Sequence, residues 1–398
     1  MEKVRYGIIG VGNMGSSHAK NFYKGAVENG VLTAICDLKP EKMQAVLDLK
    51  PEEAPAVTTF SDYKEMLKSG LIDAVIVAVP HYSHPQLVID ALECGIHTIC
   101  EKPAGVYTKQ VKEMNEVAKN SKALFTMMFN QRTNCVYRKM REMVMNGEIG
   151  TIKRINWIIT SWYRSQSYYD SGDWRATWSG EGGGVLFNQC PHQLDLLQWV
   201  TGMMPRRVHT FCHFGKWHDI EVEDDVTAYL EYENGATGVF ITSTADTPGT
   251  NRFEILGDKG KLVCEHIEKQ DILTFYKLEK SEREFCFSHT GGFGEPKHEV
   301  ITVETDGLNP QHKGILNNFS NAILGIEPLF VDGKEGINGV ELMDSMMLSQ
   351  WLGKEVTLPI DDELYLEELN KRIATGRTKS GCDRVLDTDG TYGTTAKK

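Results

Sequence analysis

No apolar run in this chain approaches the length that spans a bilayer, and no charged-then-apolar leader precedes its first strand-like segment. Both absences predict a cytoplasmic protein with no membrane partner. Positive charge is in deficit: 43 Lys and Arg stand against 55 Asp and Glu, a formal net charge of −12. That balance, without any basic patch interleaved with aromatics, speaks against nucleic acid or an anionic lipid surface as partner. Nine cysteines occur with no Cys-x-x-Cys spacing, at positions 36, 94, 100, 135, 190, 212, 264, 286 and 382. Several fall inside apolar runs, so they read as reduced core residues and as neither a disulfide framework nor a zinc knuckle. Internal repeats are missing, and 398 residues exceed one ordinary core, which predicts two domains.

What the chain does have is a glycine-rich turn in a telling place. The apolar run Val4–Ile9 meets Gly10-Val11-Gly12-Asn13-Met14-Gly15, and a second apolar run, 32–36, ends at Asp37. Gly10 permits the tight turn, Gly12 lets backbone approach a pyrophosphate, and Gly15 allows close helix-to-strand packing. The helix that follows offers the N–H groups of Asn13 and Met14 and a positive dipole end to phosphates. Asp37 stands where a carboxylate accepts hydrogen bonds from both hydroxyls of an adenosine ribose. It favours NAD over NADP, since it would repel a 2′-phosphate and Leu38-Lys39-Pro40 supplies no arginine.

Through the first third, strands near 4–9, 32–37, 74–79, 97–100 and 123–129 alternate with helices near 15–25, 40–49, 61–69, 84–94 and 107–120. This predicts a doubly wound parallel sheet, a Rossmann domain over 1–130. The run 74–79 is apolar on both faces, as a central covered strand requires. Beyond a helix at 133–145 the pattern changes to longer strands at 151–163, 206–214, 225–232, 237–244, 252–256 and 261–265. Turn sequences Glu233-Asn234-Gly235-Ala236 and Asp258-Lys259-Gly260 join antiparallel neighbours. An α+β domain over 131–355 with a large, mainly antiparallel open sheet is expected, with helices at Pro191–Thr201, 310–324 and 335–353. Residues 356–398 form an extension whose Gly-, Thr- and Lys-rich end is expected to be mobile.

Two blocks carry the chemistry. Glu101-Lys102-Pro103 follows a strand at the carboxyl edge of the parallel sheet, where open α/β sheets bind ligands. Alone it reads better as a surface lysine paired with Glu101. The second block runs from Gly180-Glu181-Gly182-Gly183-Gly184 through Asn188 to His192 and Asp195. With the N-terminal fingerprint, these motifs resemble the glucose-fructose oxidoreductase, inositol dehydrogenase and MocA family over nearly the whole chain to about 355. The resemblance implies a nicotinamide-dependent oxidoreductase acting on one carbon of a sugar or cyclitol, with Lys102 and His192 as catalytic pair. It also implies that Val79, Pro80, His84 and Glu101 line the nicotinamide and ribose cleft, and that Glu223-Asp224 is structural. Many members carry aspartate where this chain has Asn188; an amide bonds a sugar hydroxyl but takes up no proton. Acid–base duty therefore falls on His192, assisted by Lys102, the alternative being a hydrogen-bonded histidine at a helix start.

Between the two domains lies a dense run of polar and aromatic residues, from which Arg132, Tyr163, Arg164 and Trp174 are expected to contact the sugar together with Asn188 and His192. About half of this run reads as ordinary sheet packing. His209, Cys212, His213 and His218 lack a carboxylate that would complete a ligand set, so no metal is expected. His312 either faces the cleft or caps a helix at the surface. The resulting expectation is an NAD-dependent dehydrogenase of a sugar, glycoside or cyclitol, with C3 of a hexopyranoside favoured and inositol C2 next, in a homo-oligomer (dimer or tetramer). Two rivals share the motifs: a redox-cycling glycoside hydrolase and a ligand sensor without catalysis. Retention of Lys102 and His192 counts against the sensor.

Overall fold

The computed structural model describes residues 3–268 and 270–380. Short apolar runs alternating with amphipathic helices build a six-stranded parallel sheet. Its strands are β1 (Val4–Ile9), β2 (Gly30–Cys36), β3 (Thr58–Phe60), β4 (Ala74–Val77), β5 (His97–Cys100) and β6 (Phe125–Met127), in the order β3-β2-β1-β4-β5-β6. The order reverses between β1 and β4, which opens a crevice at their carboxyl ends. All four residues of β4 are buried, as expected for a strand covered by helices on both faces. The edge strand β3 was not foreseen: its two threonines are exposed, so no apolar run marks it.

The second sheet has nine strands: β7 (Ile152–Ile159), β8 (Pro205–Phe214), β9 (Glu223–Tyr232), β10 (Thr237–Ser243), β11 (Asn251–Gly257), β12 (Gly260–Ile267), β13 (Gln270–Leu278), β14 (His298–Thr302) and β15 (Val356–Thr357). Their order is β14-β13-β12-β11-β7-β10-β9-β8-β15. Neighbours are antiparallel except β7 and β10, which run parallel; between them the chain leaves the sheet for residues 160–204 and returns as the β8–β9 pair. Both foreseen hairpin turns are present, with Gly235 at φ +82° in the first. Strands β13, β14 and β15 add to the expected set: Gln270, Asp271 and Lys277 break the apolar alternation of β13, four of the five residues of β14 are exposed, and β15 has two residues.

Helix Gly336–Leu352 is wedged between β8 and the first sheet's helix Thr108–Asn120, with twelve of its seventeen residues buried. Polar groups of the first sheet find their partners here and just upstream. Tyr6 Oη lies 2.7 Å from Ser320 Oγ, Thr126 Oγ1 donates to Val331 O at 2.8 Å, and Thr108 N donates to Asp344 Oδ2 at 2.9 Å. Helix Asp362–Thr375 lies within the expected extension and has a clear start: Asp361 accepts from Glu363 N and Leu364 N. It returns to the first domain's helix Thr108–Asn120, where Asp362 accepts from Thr108 Oγ1 and Lys112 Nζ. The expected mobile end lies, from 381 onward, outside the described residues. Among the described residues no helix is long and apolar enough to cross a membrane.

Candidate functional site

The glycine turn is shaped for a dinucleotide. Gly10 sits at φ +85°, and a Cβ there would come within 2.4 Å of Ala78 O. A Cβ on Gly15 would come within 1.9 Å of Gly10 O, so only glycine lets helix Asn13–Tyr23 pack this closely. A Cβ on Gly12, by contrast, meets nothing within 4 Å. Open space therefore adjoins the N-terminus of a helix that has no side-chain cap, and the first-turn N–H groups, including those of Asn13 and Met14, lack intrahelical acceptors. Asp37 is tied to this turn: Oδ2 accepts from Val11 N and Oδ1 from Lys39 N, both at 2.9 Å. Leu38 beside it is 88% exposed. These residues fit NAD. NAD is expected to bind at least ~10-fold more tightly than NADP, about 1.4 kcal/mol. Equal affinities in calorimetric titration would overturn that assignment, and D37S with L38R should move the preference toward NADP.

At the sheet's carboxyl edge the two catalytic candidates meet a buried ionic cluster. Glu101 Oε1 bonds His18 Nε2 at 2.7 Å, and Oε2 accepts from Lys102 N at 3.3 Å. Burial alone would raise this carboxyl, but the His18 hydrogen bond and the charges of His18, His312 and Lys102 bring it down to about 2. Lys102 Nζ does not pair with Glu101. It crosses to the other block and donates to Asn188 O at 2.8 Å. Burial lowers its pKa, with the charges of Glu101 and Glu181 opposing.

His192 is the second residue of helix Pro191–Thr201, whose start is fixed by Pro191. Neither ring nitrogen bonds another described residue, and Nδ1 is buried without a partner among them. Burial, and then the charge of Lys102, push the imidazole well below its ordinary value. It is therefore neutral and able to accept a proton at neutral pH. His312 faces the cluster, its ring 5.6 Å from that of His18, and burial takes it down to about 4.

Asn188 is held at three points. Its Nδ2 donates to Glu181 Oε1, its Oδ1 accepts from Tyr168 Oη at 3.0 Å and Gln189 Nε2 at 3.1 Å, and its backbone oxygen takes Lys102 Nζ. The Tyr168 hydroxyl also accepts from Arg175 at 2.9 Å, and the Arg175 guanidinium lies over the rings of Tyr168 and Trp174, 4.6 Å from each centroid. Glu223 fixes the turn beneath them, its carboxylate accepting from Gly184 N at 2.8 Å and Leu186 N at 3.0 Å. Asp224 receives three consecutive backbone N–H groups, from Lys216 to His218.

Not every expected contact faces this site. Arg132 is 1% exposed; it forks onto Asp195 at 2.6 and 2.8 Å and reaches Glu335 at 2.7 Å, so all three nitrogens are engaged. The expectation of a substrate contact at Arg132 is corrected to an internal tie. His84 is corrected likewise: it is buried, with Nε2 at Val79 O and Nδ1 at Pro103 O, and braces the loops that carry Val79, Pro80 and Lys102. Val79 packs against Gly10. Trp174 is half-buried, edge-on to His81 at 5.6 Å, and Arg164 lies over Tyr168 at 5.0 Å, while Tyr163 is 54% exposed. His18, Tyr168, Arg175 and Glu181 were not singled out from the sequence. For His18 the signal was its position three residues after Gly15, and for Glu181 its carboxylate immediately before three glycines.

Residues 4–129 match the oxidoreductase family described as an NAD-binding Rossmann fold, and 137–263 match the GFO/IDH/MocA C-terminal domain. A D-glucoside 3-dehydrogenase from Escherichia coli is 28% identical over 381 residues, covering 89% of this chain and 97% of its own length. A myo-inositol 2-dehydrogenase from Thermotoga maritima is 25% identical over 277 residues, 68% of this chain and 78% of that one. The WlbA dehydrogenase from Chromobacterium violaceum, solved with NADH and UDP-GlcNAcA, superposes with a TM-score of 0.75 at 25% identity, covering 91% of this chain and 97% of that one. With both halves of the fold matched in sequence order, the chain belongs to the GFO/IDH/MocA family and is an NAD-dependent oxidoreductase.

Proposed function

We propose that the protein oxidises a secondary alcohol of a sugar, glycoside or cyclitol, with C3 of a hexopyranoside the favoured position and inositol C2 the next. The observation that carries this reading is the hydrogen bond from Lys102 Nζ, just after the last residues of β5, to Asn188 O, four residues before His192, whose Nδ1 is buried without a partner among the described residues. NAD, when bound, supplies hydride acceptance at its nicotinamide ring. Neutral His192 takes the hydroxyl proton, and the Lys102 ammonium stabilises negative charge building on that oxygen. Asn188 holds its amide in a fixed direction and moves no proton. Trp174, Tyr168 and Arg164 offer rings and a donor suited to the C–H face and hydroxyl rim of a pyranose. The names of the glucoside 3-dehydrogenase and inositol 2-dehydrogenase relatives, and the nucleotide sugar bound by the WlbA enzyme, support the substrate class.

The test is stoichiometry. Across a panel of glycosides and cyclitols, NADH is expected to form one-for-one with substrate consumed, the glycosidic bond staying intact. Many turnovers on a single equivalent of NAD with release of the aglycone would replace this reading by redox-cycling hydrolysis. Self-association on the open face of the second sheet belongs to the same proposal. Phe211 (62% exposed) and Tyr229 (47%) stand there, and Val239 and Ile241 of β10 continue that face through the β8–β9–β10 register.

A further inference from the structure

Glu181 is a buried carboxylate, 2% exposed, to which proton transfer between substrate and His192 gives no task. Both its oxygens are spoken for: Oε1 accepts from Asn188 Nδ2, and Oε2 accepts from Ala176 N at 2.6 Å. The direction of the Asn188 amide follows from its surroundings, since the Tyr168 hydroxyl, fed by Arg175 and Gln189, donates to Oδ1 and leaves Nδ2 for Glu181. The backbone oxygen of that same Asn188 is the acceptor for Lys102 Nζ. One residue therefore links a buried anion to a buried cation: Glu181 grips the side chain, Lys102 the main chain.

We propose that Glu181 is the positioning residue of Lys102, gripping Asn188 so that its carbonyl faces the ammonium and supplying the negative charge that Asn188 itself cannot. Charge accounting around Lys102 supports the geometry. Burial disfavours the ammonium; Glu101 and then Glu181 favour it, and Arg175 opposes it. The imidazoles of His81, His84, His192 and His312 also face it, and each is itself held below its ordinary pKa by burial. Glu101 has both oxygens committed to His18 and the Lys102 main chain, which leaves Glu181 as the carboxylate connected to Nζ through Asn188. Loss of that negative charge favours the neutral amine, so the titration of Lys102 moves down.

The experiment exploits polarity reversal. Glu181→Gln removes the charge; Glu181→Gln with Asn188→Asp restores a donor–acceptor pair of the same shape with the carboxylate moved to position 188. Reactivity of Lys102 toward acetic anhydride, followed against pH by peptide mass spectrometry in the free protein, reads its titration without substrate or cofactor. Glu181→Gln is expected to lower that titration by about one pH unit and kcat by about 10-fold or more, with NAD affinity unchanged. The double variant is expected to return the titration to wild type. A wild-type titration in Glu181→Gln overturns the inference. So does a double variant that binds NAD yet leaves Lys102 shifted, and this arm decides if the single variant does not fold. The kinetic part rests on the dehydrogenase reading; the acylation part does not, so a chain that oxidised no sugar would still show the shift.

Discussion

His192→Ala is expected to lower kcat by about 100-fold or more, the scale of a lost general base, while leaving NAD affinity as it was. The separation follows from the architecture. His192 rides on a helix packed against helices Cys135–Met145 and Gly336–Leu352, and the dinucleotide turn joins β1 to helix Asn13–Tyr23, so truncating the imidazole removes a proton acceptor without touching the turn. The pH profile adds a check with a definite sign. A base works in its deprotonated form, and burial with the Lys102 charge holds this imidazole well below 6.5. The wild-type plateau of kcat/KM should therefore extend below pH 6.5 before its acid limb appears, and that limb should vanish in the variant. Steady-state kinetics across pH with calorimetric titration of NAD measures both. Wild-type turnover in His192→Ala would transfer the base role to another group.

Arg132→Ala is expected to cost about 3–5 kcal/mol of stability, the range for removing one partner of a buried ion pair. Asp195, 1% exposed, would lose a bidentate partner and keep only Gln198 Nε2 at 3.1 Å. The guanidinium also lies between the rings of Phe129 and Trp199, at 4.9 and 5.3 Å, so packing goes with the charge. Such a loss is a large fraction of the roughly 5–15 kcal/mol that holds a typical domain folded. Arg132→Lys should recover little, since an ammonium cannot reproduce the fork onto Asp195 while reaching Glu335. Denaturant unfolding monitored by tryptophan fluorescence reads the midpoint. A shift worth under about 1 kcal/mol would mean that water reaches Asp195 and replaces the fork.

Arg132 also shows why part of the site stayed hidden in the sequence. An arginine within a polar, aromatic stretch has the composition of a sugar contact, and nothing local reveals partners 63 and 203 residues away. His84 fails for the same reason: the carbonyls that occupy its ring belong to two different loops. By contrast, the glycines at 10, 12 and 15 and the acid at 37 act within one strand–helix–strand unit, so spacing alone was enough to read them. The first sheet was legible because parallel strands buried on both faces appear as unbroken apolar runs, and β3 escaped because an exposed edge strand does not. Lys102 and His192 came from resemblance; no rule of local chemistry brings residues from two sheets together. Glu181 carries no such signal of its role, since the group it grips is an amide seven residues on and not a cation beside it.

The bonds that join the first sheet to residues 320–344 bear on the order in which the protein is made. Synthesis proceeds from the N-terminus, and the nucleotide-binding half leaves the ribosome first. At that moment the Tyr6 hydroxyl lacks Ser320, Thr126 lacks the Val331 carbonyl, and the Thr108 amide lacks Asp344. Each is a polar group that water serves until residues 320–344 cover it and supply the protein partner. The early half therefore emerges as an unfinished body whose seams close only when the last fifth of the chain has been translated. Ribosome-bound fragments ending before residue 320 lack all three partners, so the nucleotide-binding half carries open seams until residues 320–344 follow it.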